Sequence, residues 1–186
     1  HYLDWQEPNP AFEAVGAFIG IGATLRDGGP PQLSSGTRIT PGLLKVLRAQ
    51  PLLGRGFIDG ENAEAGGREI LISHALWQTR FGGRADIVGA TLHLDDTPMT
   101  IVGVMPATFE FPARSNDFWL ALRFNAGDRE SRQTHQWRVL GRLRPDMNLG
   151  SAQAAMEVVV RRIAAAHPEF MAGWGVDVVS YHADLV

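Results

Sequence analysis

The chain has 186 residues, 45% hydrophobic and 20% charged, with a formal charge of −3 at pH 7. That balance is ordinary for a globular domain and lacks the basic footprint of a nucleic-acid binder, so nucleic acid is not expected as a partner. The absence of cysteines excludes thiolate chemistry, disulfides and Cys-based zinc or iron–sulfur sites, and no apolar run of about 18 residues is present to span a bilayer.

Tyr2-Leu3-Asp4-Trp5 reads as a short helical entry, followed by a loop at Pro8-Asn9-Pro10. Ala14 to Leu25 is apolar and contains a strand; Arg26-Asp27-Gly28-Gly29-Pro30-Pro31 is a turn, and Gln32 to Ile39 returns as a second strand. Thr40-Pro41 is an N-cap with proline at the first helical position, and Leu43, Leu44 and Leu47 give that short helix its apolar side. The acidic, glycine-rich stretch Asp59–Gly67 marks a first boundary.

Glu69 to Ile72 is a short apolar strand. Ser73 then caps a helix carrying Leu76, Trp77 and Phe81, and Gly82-Gly83 stops it. Thr91–Leu94 and Met99–Met105 are strands joined at Asp95-Asp96-Thr97-Pro98, and Phe118–Leu122 adds another. The polar Asn125–Gln133 is a second boundary. Trp137–Leu143 alternates as a strand, Asn148 caps, and Leu149–Ala166 is the longest helix, roughly 27 Å at 1.5 Å per residue. Its apolar positions are Ala152, Ala155, Met156, Val159, Ile163 and Ala166, His167-Pro168 ends it, and Val176–Tyr181 closes as a strand.

No reactive constellation emerges. The histidines (His1, His74, His93, His135, His167, His182) form neither H-x-x-x-H nor H-x-x-E-H, so no metal site is expected; His93 fits the wet face of a strand. Ser73-His74, with Asp86 or Asp95 as the acid, lacks the G-x-S-x-G elbow, and an N-cap serine turns its oxygen to backbone amides. Gly20-Ile21-Gly22 and Gly54-Arg55-Gly56 do not continue into a nucleotide fingerprint, so no cofactor is expected. Asp95/Asp96 and Glu61/Glu64 lie in turns or linkers, where acidic residues are common. Trp77, Phe81, Phe109, Phe111, Trp119 and Trp137 suit a core or an interface better than a ligand groove. Catalytic, cofactor-binding and metal residues are accordingly all expected to be none.

Several segments in order carry a resemblance. These are Thr40-Pro41-Gly42-Leu43-Leu44-Lys45-Val46-Leu47, Pro51-Leu52-Leu53-Gly54-Arg55-Gly56-Phe57 and Leu71-Ile72-Ser73-His74-Ala75-Leu76-Trp77-Gln78 with Arg80-Phe81-Gly82-Gly83. Ile87-Val88-Gly89, Thr100-Ile101-Val102-Gly103-Val104-Met105-Pro106, and Gly141-Arg142-Leu143-Arg144-Pro145 with Gln153-Ala154 continue the series. Together they resemble the extracytoplasmic core domain of MacB-type (FtsX-like) ABC transporter permeases. Departures are Leu44 for an aromatic, and Arg48, Asp96 and Asp146 for glycines.

The resemblance implies an α+β fold of two lobes. A porter-like lobe of two βαβ-type units would come from both chain ends, residues 1–65 and 126–186, with a smaller α/β lobe, 66–125, inserted. It also implies a periplasmic domain of an inner-membrane permease, relaying ATP-driven conformational change in export or efflux, without catalysis of its own. The implied partners are transmembrane helices of its own full-length chain, an ATP-binding domain or subunit, a second copy in a homodimer and a periplasmic adaptor. The chain starts at His1 without an initiator methionine or signal peptide, which fits a piece from between transmembrane helices or a mature secreted protein. The alternative is a secreted two-lobed hydrolase or ligand-binding protein with an interlobe cleft; a histidine buried beside an acid and a serine would carry it.

Overall fold

The computed structural model describes residues 11–58, 67–122, 137–166 and 175–181. The expected entry helix, both boundary segments (but for Gly67) and the His167-Pro168 stop lie outside those residues. Eight strands and three helices are described: β1 (Phe12–Leu25), β2 (Gln32–Ile39), α1 (Pro41–Leu47), β3 (Leu53–Gly54), β4 (Glu69–Ile72), α2 (His74–Phe81), β5 (Thr91–Leu94), β6 (Thr97–Val104), β7 (Phe118–Ala121), β8 (Arg138–Leu143) and α3 (Leu149–Ala166). The class is mixed α+β, as expected.

All strands belong to one mixed sheet in the order β2-β7-β4-β6-β5-β1-β8, with β3 against β6. Because β1 also pairs with β2, the pairings return on themselves through β1, β2, β7, β4, β6 and β5. β4 and β7 are buried at every residue, as near-continuous apolar runs require. Ile70, Ile72, Phe118 and Leu120 turn to one core with Leu25, Leu92, Ile101 and Leu76 of α2. Leu71, Trp119 and Ala121 turn to the other, with Phe18, Phe111 and Leu43 of α1. Alternation along a strand thus feeds two cores from one sheet.

Of the three expected N-caps, Ser73 and Asn148 cap with their side chains and Thr40 does not. Ser73 Oγ accepts from Leu76 N–H at 3.0 Å, and Gly82 closes α2 in the left-handed region at φ 63. Thr40 holds the N-cap position of α1, yet its side chain makes no cap bond; Oγ1 accepts from Ala17 N–H of β1 at 2.9 Å. Pro41 has already removed one orphan donor, so the hydroxyl ties helix to strand instead. Asn148 Oδ1 accepts from Ser151 N–H at 2.9 Å, as expected of a cap.

Two expectations need correction. Asp95-Asp96-Thr97-Pro98 is not a four-residue connection: β6 begins at Thr97, and Asp95 and Asp96 alone turn the hairpin, with φ of 48 and 69. Positive φ at both central residues is the two-residue turn that fits strand twist. Val176–Tyr181, the closing strand of the second βαβ-type unit, carries no strand. Its backbone is met by one side chain of α3: Gln153 donates to Val176 C=O and accepts from Val178 N–H, both at 2.8 Å. A helix glutamine here supplies bonds that a ladder would otherwise give.

Candidate functional site

Among the described residues, a polar cluster gathers at the tip of the β1–β2 hairpin, where residues 26–31 meet α2 and the β5–β6 turn. Arg80, at the end of α2, reaches it with three bonds. Nε donates to Asp27 C=O at 3.0 Å, Nη2 to Pro30 C=O at 2.9 Å, and Nη1 to Gln32 Oε1 at 3.2 Å. A planar fork matches several acceptors at fixed angles, which a lysine could not do. The approach is close enough that a Cβ on Gly28 would sit 2.7 Å from Arg80 O, at φ +74. Only glycine meets both demands there.

On the other side of the tip, the Asp27 carboxylate accepts from His93 N–H, and its Oδ2 lies 3.1 Å from His93 Nδ1. Arg26 Nε faces Asp96 Oδ1 at 3.0 Å, and Asp95 Oδ1 accepts from Thr24 N–H at 2.7 Å. Below the tip, burial pushes the Asp117 carboxyl above its ordinary value, opposed by the Ser34 hydroxyl and the Arg80 guanidinium. Ser34 is itself buried, with no bond of ordinary geometry to its Oγ.

A shallow groove of about 390 Å³ lies between β1, β2 and residues 112–116. Gly20, Gly22, Ser35, Thr37 and Asn116 are among its lining residues, and no titratable side chain lines it. Asn116 is committed to structure, accepting from Thr37 Oγ1 at 2.6 Å and donating to Phe118 C=O at 2.9 Å. The groove offers shape and hydroxyls, without an acid or base.

The candidate residues of the sequence are not brought together. Ser73 spends its hydroxyl on the cap, and His74 packs edge-on against Trp77, ring centroids 5.4 Å apart. His93 does have an acid neighbour in Asp27, but both side chains are partly exposed, 42% and 36%, and no serine joins them. Gly54 sits on a two-residue strand, where a Cβ would meet Val102 O at 2.2 Å; close backbone approach, not phosphate binding, explains it. Asp95 and Asp96 form the hairpin turn, while Glu61 and Glu64 lie outside the described residues, as do His1, His135, His167 and His182. Trp119 is 1% exposed and donates to Phe111 C=O at 3.0 Å, in a cluster with Phe109, Phe111 and Phe18. Among the described residues, no three His, Asp or Glu side chains converge as a metal site. Sequence reasoning missed the Arg80 fork; its signal was a D-G-G turn whose glycines called for a close neighbour.

The sequence profile of the MacB-like periplasmic core domain matches residues 2–159, most of the chain. The chain belongs to that family. It is thus the periplasmic domain of a MacB-like ABC transporter permease. Among described residues no helix is long and apolar enough to cross a membrane. No curated protein matches.

Solved structures share the fold. The extracellular domain of the noncanonical ABC-type transporter YknZ from Gram-positive bacteria aligns with TM-score 0.62 at 15% identity, covering 89% of this chain and 82% of that one. The periplasmic region of MacB from Actinobacillus actinomycetemcomitans aligns with TM-score 0.63 at 11% identity, covering 90% and 72%. A domain assigned to a permease protein of Porphyromonas gingivalis gives TM-score 0.63 at 20% identity, covering 87% and 68%.

Proposed function

We propose that this family member relays ATP-driven movement of membrane helices into the periplasm, in export or efflux, and performs no reaction of its own. One observation carries the reading: β1 bears on both ends of the described chain. At its start, Ala11 C=O accepts from Arg144 N–H at 3.1 Å and Phe12 pairs with Leu143. The last described residue, Tyr181, packs on Phe111 with ring centroids 6.3 Å apart, and Phe111 packs on Phe18 of β1 at 4.8 Å. The far half of β1 then pairs with β2 and reaches β5. A displacement applied at either end therefore enters a close-packed sheet, which moves as a body and does not absorb it.

Membrane helices of the full-length chain, an ATP-binding domain or subunit, a second copy and a periplasmic adaptor are the partners of this reading. In this reading residues 1–65 and 126–186 form a porter-like lobe and 66–125 an inserted lobe, joined by the shared sheet into the one body that moves. The test is made in the full-length transporter. A Gly/Ser segment of about ten residues, inserted before Ala11 or after Tyr181, behaves as flexible coil. Export is expected to fall at least roughly tenfold while ATP hydrolysis continues; full export with both insertions would refute the relay.

A further inference from the structure

The circuit of strands is joined unevenly. β1 meets β2 over eight residue pairs and β8 over six, but meets β5 only at Leu25↔Leu94. Two backbone bonds flank that pair, Arg26 N–H to His93 C=O at 3.2 Å and Asp95 N–H to Thr24 C=O at 3.0 Å. The remaining bonds are made by carboxylates. Asp95 Oδ1 takes Thr24 N–H at 2.7 Å, and Asp27 takes His93 N–H. Such charge-assisted bonds are stronger than neutral ones. The Arg26–Asp96 pair, with side chains 48% and 78% exposed, adds little beside them.

The residues doing this are costly choices for the backbone. Asp95 and Asp96 hold positive φ, a conformation glycine takes more readily. The carboxylate at 95 has a use in the join that a glycine would lack. Arg80 adds an outer hold, from α2 to the hairpin tip. Elsewhere, β2–β7 has four pairs and β3–β6 two, and both connect the same two stretches of chain that β1–β5 does.

We propose that the β1–β5 join is a carboxylate-held seam. It opens as a unit ahead of the rest of the sheet, letting the β1–β2 tip part from the β5–β6 hairpin while β2–β7 and β3–β6 hold. The inference concerns the chain alone and stands apart from the relay reading.

Amide hydrogen exchange tests it. In the native chain, the amides of Thr24, Arg26, His93 and Asp95 are expected to share one opening constant. That constant should exceed by at least tenfold that of Ile101 and Met105, whose amides bond Ala90 C=O and Ile72 C=O inside the sheet. Asp95→Gly relieves the turn yet deletes one carboxylate, so Thr24, Arg26 and His93 should all exchange several-fold faster together. Arg80→Ala should move them in the same direction. Seam amides that exchange at the rate of Ile101 and Met105 would overturn the proposal. So would an Asp95→Gly effect confined to Thr24, which would make Asp95 a local bond only.

Discussion

Arg48 closes α1 with φ 51 and ψ 37, its backbone N–H reaching Lys45 and Leu44 carbonyls. This is the left-handed capping position that glycine takes without penalty. Among the described residues its side chain gains only a 3.5 Å contact with Glu13, 69% and 34% exposed, which is worth little. Arg48→Gly should therefore raise stability by about 0.5–1 kcal/mol, read from the urea midpoint. A lower midpoint would show that the guanidinium does more than the geometry indicates. Asp117 makes a second residue-scale case. Its carboxyl, raised from 3.8 by burial, binds its proton more readily in the folded than in the unfolded chain. The resulting stabilisation is complete below the unfolded value and is lost as pH rises through the folded one. Asp117→Asn removes that loss while keeping the backbone bonds to Ser35 and Ser73. Its midpoint should thus gain on the native chain more at pH 7 than at pH 3; an equal difference at both would contradict the burial effect.

Between elements, the contact of α1 with β1 depends on an absent side chain. A Cβ on Gly16 would lie 2.5 Å from Leu43 Cα, and main chain cannot swing aside. Gly20, four residues along the same strand, has nothing within 4 Å of such an atom. Gly16→Ala should cost about 1–3 kcal/mol through overpacking, whereas Gly20→Ala should be neutral or slightly stabilising. Equal effects in denaturant unfolding would mean that helix and strand part easily. α3 makes its contact differently. Ala152, Met156, Val160 and Ile163 are buried along one side, and Gln153 binds the extended residues beside it.

Across the whole molecule, strands from residues 1–65 and 126–186 share one sheet with strands from 66–125. β1–β5, β2–β7 and β3–β6 all cross that division, and the core of Leu25 with Ile70 and Phe118 is built from both sides of it. Neither part can lose its strands without opening the other's core. The chain should consequently unfold in one transition, with tryptophan fluorescence and far-UV circular dichroism coincident. Two separated transitions would mean that the inserted stretch folds by itself. Local opening at the β1–β5 seam is compatible with a single global transition, since it leaves both cores in place.

Local signals determined much of this protein, because they act within a few residues. Gln32–Ile39 and Leu149–Ala166 occur with the bounds their patterns imply, and Ser73 caps as its place before an apolar run requires. The ordered motifs from Thr40 to Ala154 were enough to indicate the family. Contacts between distant segments decided the rest. Thr40 is 23 residues from the amide it serves, Arg80 reaches carbonyls 50 and 53 residues away, and Asp95 bonds an amide 71 residues back. Such partners are chosen by how strands are laid side by side, and no local propensity encodes that arrangement. The same limit misread Val176–Tyr181 as a strand, where the bonding partner was a glutamine from the preceding helix.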